Sequence, residues 1–225
     1  MLLGFAALVY FEIKKSASDD PKDWEHAIVA FEQSAAKGEP ENAVLFIGSS
    51  SIRLWDSLKA DMAPIPVIQR GFGGAKLLDV AYYTERLIKA KSPKAIVVFA
   101  GTNDIHPGRV KPADILLDTW RSFVGKTRAQ LPGIPIYYIA ITPTPLRWEV
   151  WPEAQATNKA IREWNESQAN VHFINTVPAI LGTDGKLVKD RYIYENSFWG
   201  GLHLSQKGYD IWVREIRPLL LAYYQ

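Results

Sequence analysis

The chain has no cysteine, which excludes disulfide bonds, cysteine-ligated zinc and a thiol nucleophile. Histidine is scarce: the four residues are not arranged in an H-E-x-x-H spacing, so we expect neither a metal centre nor an organic cofactor. The net charge is only +2, and no dense run of Lys and Arg occurs. Nucleic acid is therefore not an expected partner.

A long hydrophobic run is also missing, although the N-terminus is apolar. Residues 2–11 are almost entirely apolar and are followed by Glu12, Lys14 and Lys15, but ten residues are too few to span a bilayer. The stretch is similar to the apolar part of a signal peptide, although no basic residue precedes it. It is either a clipped export signal or anchor, or an extra helix packed on the domain. We expect an exported or membrane-anchored protein with membrane proximity through this segment; a cytoplasmic protein is the alternative.

The remaining sequence alternates between short apolar runs and segments with helical periodicity. Strands are predicted at 44–47, 66–69, 95–100, 135–141 and 171–175, and helices at 23–36, 52–62, 77–89, 112–130, 153–167 and after Ser205. This alternation predicts a three-layer α/β/α sandwich with a flavodoxin-like central parallel sheet of about five strands. We expect an N-terminal segment and linker at 1–22 and a single domain at 23–225.

A serine-rich turn follows the first predicted strand, at Gly48-Ser49-Ser50-Ser51. Ser is a favoured N-cap, so one interpretation is that these residues only begin the next helix. The other is a nucleophile, because ligands of open α/β sheets bind at the carboxyl ends of the strands. Other predicted strand ends carry Gly73-Gly74 and Asn103, and His203 precedes the last helix. A hydroxyl, an imidazole and N–H donors are the groups that acyl transfer needs.

These segments resemble the sequence blocks of the SGNH (GDSL-type) hydrolases, in the same order. The blocks are Gly48-Ser49-Ser50-Ser51-Ile52, residues 70–75 (Arg-Gly-Phe-Gly-Gly-Ala), Gly101-Thr102-Asn103-Asp104 and Gly201-Leu202-His203. The resemblance extends over about residues 42–222 and includes a bacterial subgroup with the serine-rich opening. It implies that Ser50 is the nucleophile and His203 the base. It further implies an oxyanion hole made by the Ser50 and Gly74 N–H groups and the Asn103 amide. The G-x-S-x-G motif of ordinary α/β-hydrolases is absent.

The chain departs from the family pattern at two positions. Ser49 replaces the Asp of the first block, at a position that is not the nucleophile. Gly200 stands three residues before His203, where the family has the acid of its triad. Three explanations are open. A backbone carbonyl of Trp199 or Gly200 orients the imidazole and gives a Ser-His dyad; a carboxylate reaches in, from Glu195 or less plausibly Asp190; or the protein is a weak or inactive relative.

Further residues near the predicted strand ends suit substrate binding. Arg147 and Trp148 follow the fourth strand, and Trp199 precedes His203. We expect Arg147 to line the cleft and the tryptophans to be candidates for substrate binding, although packing is the simpler role for the tryptophans. His106 is a further cleft candidate. The expected function is hydrolysis of small acyl esters, such as acetyl esters of small alcohols, by a serine esterase. A lipid-directed lysophospholipase or thioesterase and a non-catalytic acyl- or glycan-binding relative are the alternatives.

Overall fold

A five-stranded parallel sheet forms the centre of the fold in the computed structural model, which describes residues 18–90, 92–187 and 201–224. Its strands, in chain order, are β1 (Val44–Gly48), β2 (Val67–Gly71), β3 (Ala95–Phe99), β6 (Ile136–Ile139) and β7 (Val171–Ile174). They lie in the order β2-β1-β3-β6-β7, and all neighbours are parallel. The chain moves outward from β1 to β2 and then returns across β1 to β3, which makes the edge between β1 and β3 a topological switch point. The predicted flavodoxin-like sheet is confirmed.

Helices cover both faces of this sheet. They are α1 (Glu25–Ala36), α2 (Ser50–Arg53), α3 (Leu58–Asp61), α4 (Leu77–Tyr82), α5 (Thr84–Leu87), α6 (Ala113–Gln130), α7 (Trp151–Glu166) and α8 (Gln206–Tyr224). Short 3₁₀ helices occupy Pro21–Trp24 and Pro145–Val150, and a small antiparallel hairpin pairs β4 (Ile105–His106) with β5 (Arg109–Val110).

Two helices that the periodicity predicts as continuous are broken in the structure. The segment 52–62 divides into α2 and α3, and the turn between them buries Trp55 completely, with its indole N–H donating to Asp61 at 2.6 Å. The segment 77–89 divides at Tyr83, which has non-helical backbone angles. Apolar spacing does not detect such breaks, because both short helices keep their apolar side chains toward the same sheet.

The three-layer arrangement follows from the alternation of side chains along the strands. In β1, Leu45 and Ile47 belong to one apolar core, while Val44 and Phe46 belong to another on the opposite face. All five β1 residues are buried, which explains the uninterrupted apolar run in the sequence. The predicted three-layer α/β/α sandwich is therefore confirmed.

The N-terminal part of the described chain lies against the domain. Trp24 is buried and its indole N–H donates to Asp79 at 3.0 Å, while the Lys76 ammonium donates to the carbonyl of Ser18 at 2.6 Å. The division predicted between residues 22 and 23 stays a prediction. None of the helices in the described ranges has the length and apolar character needed to cross a bilayer.

Candidate active site

Ser50 is positioned by the abrupt end of β1. Gly48 is the last strand residue, and a Cβ on it would lie 2.0 Å from the carbonyl oxygen of Phe99 on the neighbouring strand. Ser49 is extended and donates its N–H to the same Phe99 oxygen at 3.0 Å. Ser50 is then the first residue of α2. Ser49 makes no side-chain capping bond, so the serine-rich turn does not owe its conformation to an N-cap hydroxyl.

His203 reaches Ser50 from the segment before α8, and its Nε2 lies 3.0 Å from Ser50 Oγ. Gly201 has a positive φ of 85°, and a Cβ there would lie 2.9 Å from Cβ of Pro145. Its carbonyl accepts the N–H of Leu146 at 3.2 Å. The loop that carries His203 is thus held against the segment that follows β6, because Gly201 has no side chain to keep them apart.

The imidazole of His203 is largely screened from water. Burial lowers its pKa to about 4, and the positive charge of Arg53 acts in the same direction. The ring is therefore neutral at pH 7 and able to accept a proton. Within the described ranges, no hydrogen bond joins His203 Nδ1 to a carboxylate or a carbonyl. The orienting candidates Glu195, Trp199 and Gly200, and also Asp190, lie outside the described residues.

Asn103 belongs to the turn after β3, where it contacts the turn after β2. It is 9% exposed, and its Nδ2 donates to the carbonyl of Ala75 at 3.0 Å. Gly74 precedes Ala75 and has a positive φ of 76°, a conformation that favours glycine. The predicted donors Asn103 and Gly74 are thus on two turns joined by a hydrogen bond.

Asp104 makes a second connection between these turns, and the sequence interpretation gave it no role. Its buried carboxylate accepts the N–H of Leu77 at 2.7 Å and lies 3.3 Å from the ammonium of Lys111. Burial raises the pKa of Asp104 to about 6, although the Leu77 N–H and the Lys111 charge oppose the shift. Together with the Asn103 amide, Asp104 fixes the β3 turn against the start of α4.

A small cleft opens beside Ser50 and His203. Its other described lining residues are Ser49, Ser51, Phe99, Thr102, Asn103, Thr142, Thr144, Leu202 and Leu204. The threonines come from the ends of β3 and β6, so the enclosed space extends from Ser50 across that side of the sheet. Gly74 is not among the lining residues, and it lies on the opposite side, after β2.

The predicted substrate-binding residues have different environments. Arg147 is half-buried, its Nε has no hydrogen-bond partner among the described residues, and burial lowers the pKa of its guanidinium. It lines a second small cavity that shares Thr102, Thr142 and Thr144 with the cleft. Trp148 is 37% exposed and stacks 6.4 Å from the buried Trp151. The third predicted residue, Trp199, lies outside the described residues.

His106 does not line the cleft, contrary to the prediction. It lies in β4, where its Nδ1 is 2.9 Å from the carbonyl oxygen of Pro107 in an exposed position. His172 stacks on Tyr137 with ring centroids 4.8 Å apart. The described residues contain no cluster of three or more His, Asp and Glu that could hold a metal.

Arg53 is a residue near the site that sequence reasoning missed. It ends α2, three positions after Ser50. Residues three apart face the same side of a helix, so the spacing was a usable indication. The spacing does not predict where the Arg53 side chain lies. In the structure it lies over Gly73 on the adjacent turn.

Comparison with known proteins agrees with the fold. The profile of the GDSL-like lipase/acylhydrolase family matches residues 48–211. No curated protein matches the chain.

Solved structures from several bacteria share the fold. A Streptococcus pneumonia protein, provisionally named a platelet activating factor, is 19% identical with a TM-score of 0.78, and the match covers 98% of this chain and 99% of that one. A GDSL-like lipase from Bacteroides thetaiotaomicron is 20% identical with a TM-score of 0.70, covering 87% and 98%. A carbohydrate acetylesterase family member from Sinorhizobium meliloti is 14% identical with a TM-score of 0.60, covering 81% and 98%.

The family profile matches more than half of the chain and includes the serine turn, the Asn103 turn and His203. The chain therefore belongs to the GDSL-like lipase/acylhydrolase family and is a carboxylic ester hydrolase.

Proposed function

We propose that this protein is a serine esterase that removes small acyl groups, such as acetyl, from alcohols through an acyl-enzyme. The observation that carries the proposal is the 3.0 Å separation between His203 Nε2 and Ser50 Oγ. This distance lies within hydrogen-bond reach, as general base catalysis requires. His203 is neutral at pH 7 because burial keeps its pKa at about 4.

The reaction begins when Ser50 Oγ attacks the ester carbonyl and His203 Nε2 takes the hydroxyl proton. The imidazolium then gives this proton to the oxygen of the departing alcohol, which leaves an acyl group on Ser50. In the second half, His203 takes a proton from water, and the resulting hydroxide attacks the acyl-enzyme. The carboxylic acid leaves, and Ser50 recovers its proton.

The charge that develops on the carbonyl oxygen needs N–H donors. An asparagine amide has two N–H bonds, and Asn103 uses one of them on the Ala75 carbonyl. The other is available for the oxyanion, together with the backbone N–H groups of Ser50 and Gly74. Loss of one such donor lowers kcat by about 10²–10³ in a serine hydrolase.

Orientation of the imidazole is assigned to a backbone carbonyl of Trp199 or Gly200, with Ser50 and His203 acting as a dyad. The support is that position 200 carries glycine and no carboxylate, and glycine lets a backbone approach closely. A carboxylate from Glu195 is the competing assignment. The neutral imidazole is compatible with a carbonyl partner, because a carbonyl accepts the Nδ1 proton without adding charge.

A small acyl group suits the enclosed part of the cleft. The cavity beside Ser50 has a volume of about 10 Å³, close to the minimum that one water molecule needs. Thr102, Thr142 and Thr144 line this space, and the second cavity that shares them is equally small, at about 10 Å³. The carbohydrate acetylesterase family member from Sinorhizobium meliloti has the same fold, and an acetyl group is an acyl group of this size.

Kinetics with p-nitrophenyl esters of increasing acyl length test the proposal. We expect kcat/KM to be highest for acetate and to fall by at least about tenfold at octanoate, since each extra methylene must be accommodated outside the enclosed space. Ser50→Ala should abolish turnover and labelling by a fluorophosphonate probe. An exposed serine variant, Ser167→Ala, is the control. A maximum at long acyl chains would instead indicate a lipid-directed hydrolase, and absence of labelling at Ser50 would indicate a non-catalytic relative.

A further inference from the structure

The side chain of Arg53 lies over the glycine turn that follows β2. Its Nε and Nη2 are 2.9 and 3.1 Å from the point that a Cβ on Gly73 would occupy. The backbone N of Arg53 is similarly 2.2 Å from the corresponding point on Gly71. Gly71 is therefore required for the approach of the two backbones, and the absence of a side chain at Gly73 leaves room for a guanidinium one residue from Gly74.

The charge of Arg53 is exposed and is not neutralised by a carboxylate in the described part of the chain. None of the salt bridges there includes it, whereas the partly buried Arg86 and Arg109 and the exposed Arg121 are each paired with an Asp or Glu within hydrogen-bond reach. The guanidinium is also close enough to His203 for its charge to affect the imidazole. A guanidinium that no described carboxylate neutralises, at the rim of a reaction site, is suited to bind an anion, because its planar fork matches the oxygens of carboxylates and phosphates.

The positions of the threonines and of Arg53 indicate which part of an ester would lie near the guanidinium. Thr102, Thr142 and Thr144 enclose the small space on the β3 and β6 side of Ser50. Arg53 lies on the other side, over the turn after β2. The acyl and alcohol parts of an ester extend in opposite directions from the carbonyl carbon. If the acyl group fills the enclosed space, the alcohol part extends toward Arg53.

We propose that Arg53 binds a carboxylate or phosphate group on the alcohol part of the substrate, so that the enzyme selects anionic esters. This inference rests on the proposed esterase function and specifies its substrate class. Arg53 is then a specificity-determining residue: it contacts the alcohol but takes no part in proton transfer.

The test compares esters that share an acetyl group and differ in charge. The first pair is 4-acetoxybenzoate and its methyl ester, methyl 4-acetoxybenzoate; the second is 4-acetoxyphenyl phosphate and phenyl acetate. The measured quantity is the ratio of kcat/KM for the anionic ester to that for the neutral ester. Differences in intrinsic reactivity cancel when this ratio is compared between variants. Any influence of Arg53 on His203 cancels as well, because it acts on both esters.

We expect Arg53→Gln to lower the ratio by about 10- to 100-fold, the range for a hydrogen bond to a charged group. Arg53→Lys should retain part of the preference, because it keeps the charge but loses the fork. The control is Arg121→Gln, an exposed position on α6, which should leave the ratio unchanged. If the ratio falls for only one of the two pairs, the anion of that pair, phosphate or carboxylate, is the one that Arg53 binds. An unchanged ratio in both pairs, or a fall caused by Arg147→Gln in place of Arg53→Gln, overturns the proposal.

A binding measurement separates this proposal from the esterase function. By calorimetry, Ser50→Ala should bind 4-acetoxybenzoate and 4-acetoxyphenyl phosphate without turnover, and adding Arg53→Gln should weaken binding of the selected anion by at least tenfold. If the wild-type protein hydrolyses none of the esters but anion binding still depends on Arg53, only the esterase proposal is overturned. Hydrolysis without a charge preference, and equal binding by both variants, would remove the Arg53 proposal alone.

Discussion

Tyr209 on α8 donates a hydrogen bond of 2.9 Å to the backbone carbonyl of Ser51. Its ring stacks on Trp55, with centroids 5.0 Å apart and planes inclined by 17°. Ser51 follows the candidate nucleophile, and α8 begins three residues after His203. The bond therefore joins the two chain segments that must hold Ser50 Oγ and His203 Nε2 in contact, although they are 153 residues apart in the sequence.

Tyr209→Phe should loosen this connection while keeping the ring stack. We expect a loss of about 1 kcal/mol in the free energy of unfolding, together with a fall in kcat of about tenfold and little change in KM. Urea denaturation and steady-state kinetics measure both quantities. Tyr223→Phe, an exposed position on the same helix, is the control. Wild-type kcat in Tyr209→Phe would show that the bond does not align the site.

The pH dependence of the reaction should reflect the low pKa of His203, which burial and the Arg53 charge place at about 4. We expect kcat/KM for acetyl esters to stay nearly constant between about pH 8 and 5 and to fall below that, because only the neutral imidazole accepts a proton. Arg53→Gln should move the midpoint upward. Acetate release measured by titration gives the profile. A midpoint near the ordinary value of 6.5 would contradict the prediction.

The same group should affect stability with a definite sign. His203 has its ordinary pKa of 6.5 when unfolded and about 4 when folded. Between these values the unfolded state holds more protons, so the stability contributed by the neutral imidazole is lost as the pH falls through this window. The free energy of unfolding of His203→Gln should depend less on pH there than that of the wild type.

Asp104 should matter as a buried acceptor. Asp104→Ala leaves the Leu77 N–H without its partner, and we expect a loss of about 1–3 kcal/mol in the free energy of unfolding. Asp104→Asn keeps an acceptor oxygen and should lose less. Because Asn103 is adjacent, we expect Asp104→Ala to lower kcat and to have a smaller effect on KM. Asp118→Ala, at an exposed position, is the control; equal effects at the two positions would refute the assigned role.

Gly48 and Gly125 form a matched pair of glycine positions. Alanine at Gly48 would collide with the Phe99 carbonyl oxygen, so Gly48→Ala should destabilise the fold by at least about 2 kcal/mol. Gly125 lies in α6 with open space around it, and Gly125→Ala should stabilise by about 0.5–1 kcal/mol. Thermal unfolding measures both. A neutral effect of Gly48→Ala would mean that β1 and β3 separate easily at this end.

The orientation of His203 can be tested by exchanging carboxylates. If a backbone carbonyl orients the ring, Glu195→Ala should retain kcat within about threefold, because the carbonyl does not depend on that side chain. Gly200→Asp should then raise kcat by at least about tenfold, because a carboxylate stabilises the imidazolium. The exposed Glu166→Ala is the control for removing a glutamate. A near-total loss of activity in Glu195→Ala would assign the acid to Glu195.

Much of the fold follows from local pattern. The buried runs at 44–47 and 95–100 could be identified because strands covered on both faces have no polar alternation, and their alternation with helical segments specified a parallel sheet. The breaks at Trp55 and Tyr83 could not be identified, since both halves of each segment keep the same apolar periodicity. The β4–β5 hairpin was missed because two-residue strands carry too few residues to form a pattern.

The sequence alone determined that Ser50 and Asn103 stand at the carboxyl ends of strands and that His203 stands before the last helix, because strand ends and motif order are local properties. Tertiary structure alone decided how far apart they are. It brought His203 Nε2 within 3.0 Å of Ser50 Oγ, excluded His106 from the cleft, and laid Arg53 over Gly73. The physical reason is that these contacts join segments far apart in the chain. Their distances depend on how glycine turns and buried aromatic rings allow the elements to pack, and no periodicity in the sequence records that.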